Sequence, residues 1–210
     1  MIVYRFLDKD AGLNTVRTRR LRISRIGSLN DPFEFLAADL SDRIFRRAFV
    51  KMKRAMSKSR GIICFSKDWQ NPVLWGHYAD RYRGLCLGFE VRAELTKIDY
   101  VNQRIRCVGD DIDEAQMQKI LSSKFEHWGY ENEYRLFCSL DEKSDDDHYY
   151  LDFSDDIKLK RVMVGAESTI TRAELANALG EIAHQVKVFK VRPAFRKFKV
   201  VKNRNERSWK

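Results

Sequence analysis

Short apolar runs, rich in aromatic and β-branched side chains, recur along this chain and predict β-strands. Residues 61–66 and 84–91 are almost wholly apolar, as in strands buried on both faces. Residues 21–24 alternate apolar and polar positions, which is typical of a half-buried strand. The same reasoning predicts strands at 3–7, 134–140, 149–153, 159–165, 186–192 and 198–201, and a hairpin or paired segment at 98–108.

Apolar positions spaced three and four residues apart predict the helices. A basic helix is expected at 41–58, and Asn71 followed by Pro72 favours a helix that begins there. A capping box, T-R-A-E, opens a helix over 171–183. Helices are also expected at 8–18 and 113–127. Strands and helices follow one another without βαβ regularity, which predicts an α+β fold around a mixed, largely antiparallel sheet.

The length of 210 residues and the 44% hydrophobic content predict a single domain, 1–210, with a real core. No apolar stretch approaches the roughly 20 residues that span a bilayer, and the first residues do not resemble a signal peptide, so a cytoplasmic protein without membrane contact is expected. The four cysteines are widely spaced and predict buried free thiols. Neither a disulfide framework nor a metal site is expected.

The net charge of +10 is unevenly distributed. Residues 43–60 contain eight Lys or Arg and no acid, and residues 187–210 contain ten Lys or Arg and one acid. Clustered basic charge predicts nucleic acid or another polyanion as partner. The alternative is that the eight acids of residues 141–156 partly neutralise this charge, and that 187–210 is only a basic extension of the same domain.

Glu131, Glu133 and Arg135 stand two residues apart at the start of a predicted strand. Residues two apart on a strand point to the same face, so we expect these side chains to form one row. Acids beside a cation at the edge of a core are a candidate site. The alternative is a solvated strand entrance with a surface ion pair.

Other polar clusters are candidates for ligand contact: Tyr4 and Arg5, Ser24, Asn30 and Asp31, and the helical group Trp75, His77 and Tyr78. Each also has a structural interpretation. The aromatic residues at helical spacing suit a core, Asn30 and Asp31 suit a turn, and Arg5 suits the surface.

The segments YRF, SLNDPFE, CFS, LWGHYADRYRGLCLGF and WGYENEYRLF resemble, in order and spacing, the bacterial domain-of-unknown-function family 2971 (DUF2971). The resemblance covers roughly residues 3–165. One departure is Tyr82, where the family usually has His.

A second resemblance is to ADP-ribosyltransferase folds, which bind NAD between two small sheets. It implies a split two-sheet core in which Arg5 or Tyr4 holds NAD and Ser24 supports the acids. It also implies that Glu133 is catalytic, that Glu131 orients the acceptor, and that Trp75 or Tyr78 stacks on nicotinamide. Asn30, Asp31, His77 and Arg135 complete the predicted cofactor-binding set.

The expected function is therefore an NAD-using ADP-ribosyltransferase-like enzyme, such as a toxin or phage-defence effector. One alternative is a nucleic-acid-binding module without catalysis. Another is a metal-dependent phosphodiesterase that uses Glu131, Glu133, Asp31 and His77. No glycine-rich phosphate loop is present, which argues against a P-loop or Rossmann nucleotide site.

Overall fold

The computed structural model describes residues 1–29, 31, 33–106, 113–205, 207 and 209, and these form an α+β fold with a largely antiparallel mixed sheet, as predicted. The strands are β1 (Ile2–Leu7), β2 (Arg20–Arg25), β3 (Arg60–Ser66), β4 (Leu85–Val91), β5 (Thr96–Lys97), β6 (Asp99–Val101), β7 (Ser123–Phe125), β8 (Glu133–Ser139), β9 (Tyr149–Asp152), β10 (Ile157–Val164), β11 (Lys187–Pro193) and β12 (Val200–Lys202). The α-helices are α1 (Lys9–Thr18), α2 (Arg43–Ser59), α3 (Pro72–Tyr78), α4 (Glu114–Leu121) and α5 (Arg172–Leu179).

The described chain divides into two compact units. Unit 1 consists of Met1–Leu21, Phe65–Glu94 and Leu151–Lys210, and unit 2 consists of Arg22–Cys64 and Leu95–Tyr150. Three of the four boundaries fall within β2, β3 and β9, and the fourth lies between β4 and β5. The single domain expected from the sequence stays a prediction.

Unit 1 is built on the strand order β12-β11-β10-β4-β1. The pairs β1–β4, β4–β10 and β11–β12 are antiparallel, and β10–β11 is parallel. The central strand β4 is buried along almost its whole length, which explains its nearly continuous apolar sequence. Trp75 of α3 is fully buried with Phe6 against its edge and Tyr82 stacked beside it.

Unit 2 pairs β2 with β3, β3 with β8, and β8 with β5, and it pairs β6 with β7 in parallel. Helix α2 begins at its cap Asp42 and buries Phe45 and Phe49 against Ala38 and Ile120. The rest of α2 is mostly exposed, and seven of its residues are Lys or Arg.

The helix predicted at 113–127 is shorter in the structure. Helix α4 ends at Leu121, and it is followed by β7 and a 3-10 helix, Glu126–Glu131. The segment 98–108 was predicted as a hairpin or a paired segment, and the second form is observed: β6 pairs with β7, while residues 107–108 lie outside the described residues. The helix end was misplaced because the parallel β6–β7 pairing joins segments more than twenty residues apart, which local periodicity does not reveal.

Candidate functional site

Five charged side chains are buried together in unit 2, and we call Glu34, Lys124, Glu131, Glu133 and Arg135 the buried charge cluster. Charged residues are almost never buried unless they are paired, so such a group stands out from the rest of the chain. All five residues form ion pairs with one another. Their formal charges are three negative and two positive, which leaves the cluster with one net negative charge.

Arg135 is fully buried and binds two carboxylates. Its Nε donates to Glu133 Oε1 at 2.7 Å, and its Nη2 donates to Glu133 Oε2 at 3.1 Å and to Glu34 Oε1 at 2.6 Å. Nη1 donates to the carbonyl of Leu121, and the ring of Phe35 lies 4.9 Å from the guanidinium carbon. The fork-shaped contact with Glu133 is the geometry in which an Arg–carboxylate pair is strongest.

Lys124 is the second cation of the cluster. Its Nζ lies 2.6 Å from Glu131 Oε2, 3.2 Å from Glu133 Oε2 and 3.5 Å from Glu34 Oε2. The ring of Trp128 lies 4.9 Å away. Burial alone would lower the pKa of Lys124, but the three carboxylates raise it, so the ammonium stays charged.

Local backbone geometry brings the three acids to these cations. Glu34 follows a turn in which the Asp31 carboxylate accepts from the Phe33 amide at 2.8 Å and the Asp31 carbonyl accepts from the Glu34 amide at 3.0 Å. The Glu34 carbonyl also accepts from Lys53 Nζ of α2 at 2.6 Å. Glu131 ends the 3-10 helix, and Asn132 turns the chain into β8 in the left-handed conformation, with φ of 45°.

The ionisation of Glu133 follows from its partners. Burial by itself raises the pKa of a carboxyl, but Arg135 and then Lys124 lower that of Glu133 to about 2. The Glu133 amide donates to Tyr100 Oη at 2.8 Å, and burial followed by the negative charge of Glu133 raises the pKa of Tyr100 to about 12. Burial, and then the same carboxylate, raises the pKa of the Cys64 thiol well above its usual range. That thiol therefore stays protonated rather than acting as a nucleophile.

A cavity of about 310 Å³ adjoins the cluster and shares Lys124 with it. Its apolar walls, many of them aromatic, include Phe33, Leu36, Phe125 and Trp128. Its polar rim is formed by Asp31 and by the segment that follows β6: Asn102, Gln103 and Arg104. Phe33 is 63% exposed and Phe125 is 47% exposed, so both rings present uncovered apolar surface. A cavity with aromatic walls and a few polar groups is the usual form of a small-molecule site.

The structure brings four of the predicted site residues together in unit 2. Glu131, Glu133 and Arg135 belong to the buried charge cluster, and Asp31 lines the cavity beside it. The prediction that Glu131 and Glu133 share a strand face is wrong, because Glu131 lies in the 3-10 helix before β8. Ser24 is also in unit 2, half-buried on β2 and paired in register with Ile62. Asn30 lies outside the described residues.

The remaining predicted residues lie in unit 1. Tyr4 is buried on β1 over Gly88, and its hydroxyl accepts from Arg161 at 3.1 Å. Trp75 is fully buried, and its indole N–H donates to the carbonyl of Trp69 at 2.7 Å. Arg5 and Tyr78 are half-buried, and His77 is exposed, with its ring edge-on to that of Tyr78. Because both faces and the N–H group of Trp75 are inside the core, it offers no surface for ring stacking with a ligand.

The predicted site residues did not include Lys124, Tyr100, Phe125, Trp128 or Glu34. Lys124 was missed because it falls within the segment predicted as helix, where a lysine normally lies on the surface. The motif N-D-P-F-E was the available signal for Glu34, because the turn at Asp31 directs the residue three positions later inwards.

Comparisons with protein-family models, with curated proteins and with solved structures each find no match to this chain. The resemblance to family 2971 and the ADP-ribosyltransferase-like core therefore stay predictions. Among the residues that the structure describes, no group of three or more His, Cys, Asp or Glu is arranged to hold a metal ion. Within the same residues, no helix is both long and apolar enough to cross a bilayer.

Proposed function

We propose that this chain is a cytoplasmic NAD-using enzyme of the ADP-ribosyltransferase type, which binds the nicotinamide end of NAD in the cavity of unit 2. The supporting observation is the position of an aromatic cavity against a buried charge cluster with excess negative charge. The volume of about 310 Å³ is at the lower end for small-molecule sites. It suits one aromatic ring with its sugar, and the rest of the dinucleotide lies beyond the mouth.

The charge balance favours a cationic aromatic ring. The cluster has one net negative formal charge, Asp31 on the cavity rim adds a second, and Arg104 on the same rim balances one of the two. The nicotinamide of NAD is a pyridinium cation, which is attracted both to carboxylates and to the faces of aromatic side chains. Phe33 and Phe125 supply such faces at the cavity.

Arg104 suits the pyrophosphate of the same ligand. It lines the cavity rim, with its guanidinium carbon 5.9 Å from the Phe33 ring. Its Nη1 donates to the carbonyls of Leu36 at 3.0 Å and Ala38 at 3.2 Å, which fixes the direction of the side chain. A guanidinium held in this way recognises phosphate oxygens through paired N–H groups.

The reaction breaks the bond between the ribose carbon and the nicotinamide nitrogen. The bonding electrons leave with nicotinamide, which becomes neutral, and an acceptor adds to the ribose carbon and loses its proton. Positive charge develops on the ribose, as in glycoside hydrolysis, and fixed negative charge nearby stabilises it. In this proposal Asp31 contacts the ligand. Glu131 and Glu133 supply negative charge and hold Lys124, because both carboxylates are already ion-paired and buried.

Thermal unfolding with and without millimolar NAD, together with chromatographic measurement of released nicotinamide, tests this function. NAD is expected to raise the unfolding midpoint by mass action, and Phe125→Ala and Asp31→Asn are expected to reduce that rise. Val73→Ala is the control, since it removes an exposed apolar side chain of unit 1. An unchanged midpoint overturns the proposal, and a raised midpoint without nicotinamide release would restrict it to binding.

A second candidate function is polyanion binding along α2. Of the eight Lys and Arg residues at positions 43–60, all described, seven are exposed. Next to them is an open groove of about 710 Å³ with four cations and one aromatic ring on its walls: Arg25, Arg54, Lys58, Lys143 and Tyr149. Such a surface suits the phosphates of nucleic acid.

The triple variant Arg47→Ala, Lys51→Ala and Arg54→Ala tests this function. It should bind duplex DNA more weakly, and the slope of the logarithm of its binding constant against the logarithm of the salt concentration should become shallower by about 2–3. Unchanged duplex binding in this triple variant would exclude the α2 surface.

A further inference from the structure

The connection between β11 and β12 in unit 1 presents two phenylalanine rings to solvent. Phe195 is 90% exposed and Phe198 is 98% exposed. Large apolar side chains at this level of exposure gain nothing for the stability of the fold, because they bury no surface. Two of them three positions apart at one tip indicate an interaction surface.

The tip is firmly held at its base. Ala194 N donates to the Lys199 carbonyl, and Val200 N donates to the Gln70 carbonyl, both at 2.8 Å. Val200 itself is buried. The exposed rings therefore extend from a paired and anchored hairpin, which limits the conformational entropy lost on binding.

Positive charge surrounds the two rings. Residues 187–205 contain eight Lys or Arg and no acid. Three of these cations, Arg196, Lys197 and Lys199, are exposed at the tip itself. The guanidinium carbon of Arg192 lies 4.0 Å from the Phe195 ring, and its Nη1 donates to the Pro193 carbonyl, so one face of this ring is already stacked on a cation.

We infer that this tip, Ala194–Lys199, binds single-stranded nucleic acid, with bases stacked on Phe195 and Phe198 and phosphates on the neighbouring cations. Aromatic rings interleaved with cations are the usual means of binding single strands without sequence preference. A duplex fits less well, since its bases are already stacked on one another. An anionic membrane also fits less well, because two side chains offer little apolar area and stable membrane attachment requires more.

The tip belongs to unit 1 and α2 to unit 2, and the inference depends on its own observations. The experiment measures binding of the full chain by fluorescence anisotropy. The three partners compared are labelled oligothymidylate, its duplex with oligodeoxyadenylate, and phosphatidylserine–phosphatidylcholine vesicles. The unmodified protein is expected to bind the single strand more tightly than the duplex.

Replacing both rings, Phe195→Ala with Phe198→Ala, is expected to weaken single-strand binding by about 5- to 150-fold for each base stacked, with an unchanged salt slope. Phe195→Tyr with Phe198→Tyr should restore it. Val73→Ala, an exposed apolar residue elsewhere in unit 1, is the control. Lys197→Ala with Lys199→Ala should instead make the slope of the logarithm of the binding constant against the logarithm of the salt concentration shallower by about 1.4.

The results separate the possible partners. Equal affinity for single strand and duplex, unaffected by the double Phe variant, would overturn the inference, and loss of that affinity in the α2 triple variant would assign the binding to α2 instead. Binding to vesicles alone would replace nucleic acid with a membrane surface. Because both rings are exposed, the double Phe variant should retain the wild-type unfolding midpoint, so loss of binding reports the surface and not the fold.

Discussion

Lys124 Nζ lies 2.6 Å from Glu131 Oε2 in the interior of unit 2, and both side chains are buried. This ion pair is the centre of a group in which every member depends on the others for compensation of its charge. A buried ion pair is poor evidence of high stability, because removing its charges from water costs about as much as their attraction returns. Removing one partner, however, strongly destabilises the fold, because the remaining charges stay buried without compensation.

Lys124→Met should lower the free energy of unfolding by about 3–5 kcal/mol, because it leaves three carboxylates buried with a single cation. Methionine has a similar length and keeps most of the packing of the lysine stem, so the change tests charge rather than volume. Urea unfolding followed by circular dichroism measures the effect.

The matched control is Lys143→Met, which removes an exposed lysine paired with Asp147. Its unfolding midpoint should stay close to that of the unmodified protein, since exposed ion pairs contribute little. Similar losses in both variants would show that burial of Lys124 does not determine its contribution.

Stability should be constant between about pH 5 and pH 9 and should fall on both sides, beginning on the alkaline side with the buried Cys64 thiol, whose pKa is raised well above its ordinary 9.0. The folded-state pKa of Glu133 is about 2 against an ordinary 4.5, so its contribution, about 3 kcal/mol, is complete above pH 4.5 and is lost as the pH falls towards 2. The pKa of Tyr100 is raised to about 12 and that of Lys124 is also raised, so their contributions are complete below about pH 10 and are lost as the pH rises.

Unfolding midpoints measured across this pH range check the prediction. Glu133→Gln should lower the plateau and flatten the acid limb, while Tyr100→Phe should reduce the slope of the alkaline limb. An acid limb that is equally steep in Glu133→Gln would assign it to other carboxyl groups.

Two glycines of unit 1 should respond in opposite directions to the same substitution. A Cβ at Gly84 would lie 2.0 Å from the Leu7 carbonyl oxygen, so Gly84→Ala should cost about 3 kcal/mol through displaced backbone. A Cβ added at Gly76, inside α3, would have open space around it: in the described part of the chain, no heavy atom beyond its chain neighbours and the backbone of its own helix lies within 4 Å. Gly76→Ala should therefore stabilise the protein by about 0.5–1 kcal/mol. Thermal unfolding of the two variants is sufficient, and a stabilised Gly84→Ala protein would contradict the packing described for β1.

The elements with local signals were predictable. The predicted caps Asn71 and Thr171 accept hydrogen bonds from their own first helical turns, as Asp8 does for α1, and α3 and α5 begin where these residues place them. Such caps act within four residues, so the sequence alone contains the information. The buried strands β3 and β4 were equally clear, since their side chains are apolar on both faces.

The candidate site was only half predictable. Glu133 and Arg135 are on one face of β8, and their pairing follows from strand geometry. Lys124 was expected on a helix, and Glu131 was expected on the strand, because the β6–β7 pairing and the 3-10 helix depend on distant contacts. Burial of five charges is a tertiary property, and residue type alone predicts the opposite for each of them.

Glu34 and Arg135 are joined across a separation of 101 residues. A chain emerging from the ribosome therefore synthesises Glu34 long before its guanidinium partner exists, and the carboxylate remains hydrated during that interval. Closing so long a loop is slow, because its entropy is lost before the contact forms. We therefore expect the desolvation of all five charges to come late in folding, and a nascent chain cut short before Arg135 should fail to complete unit 2.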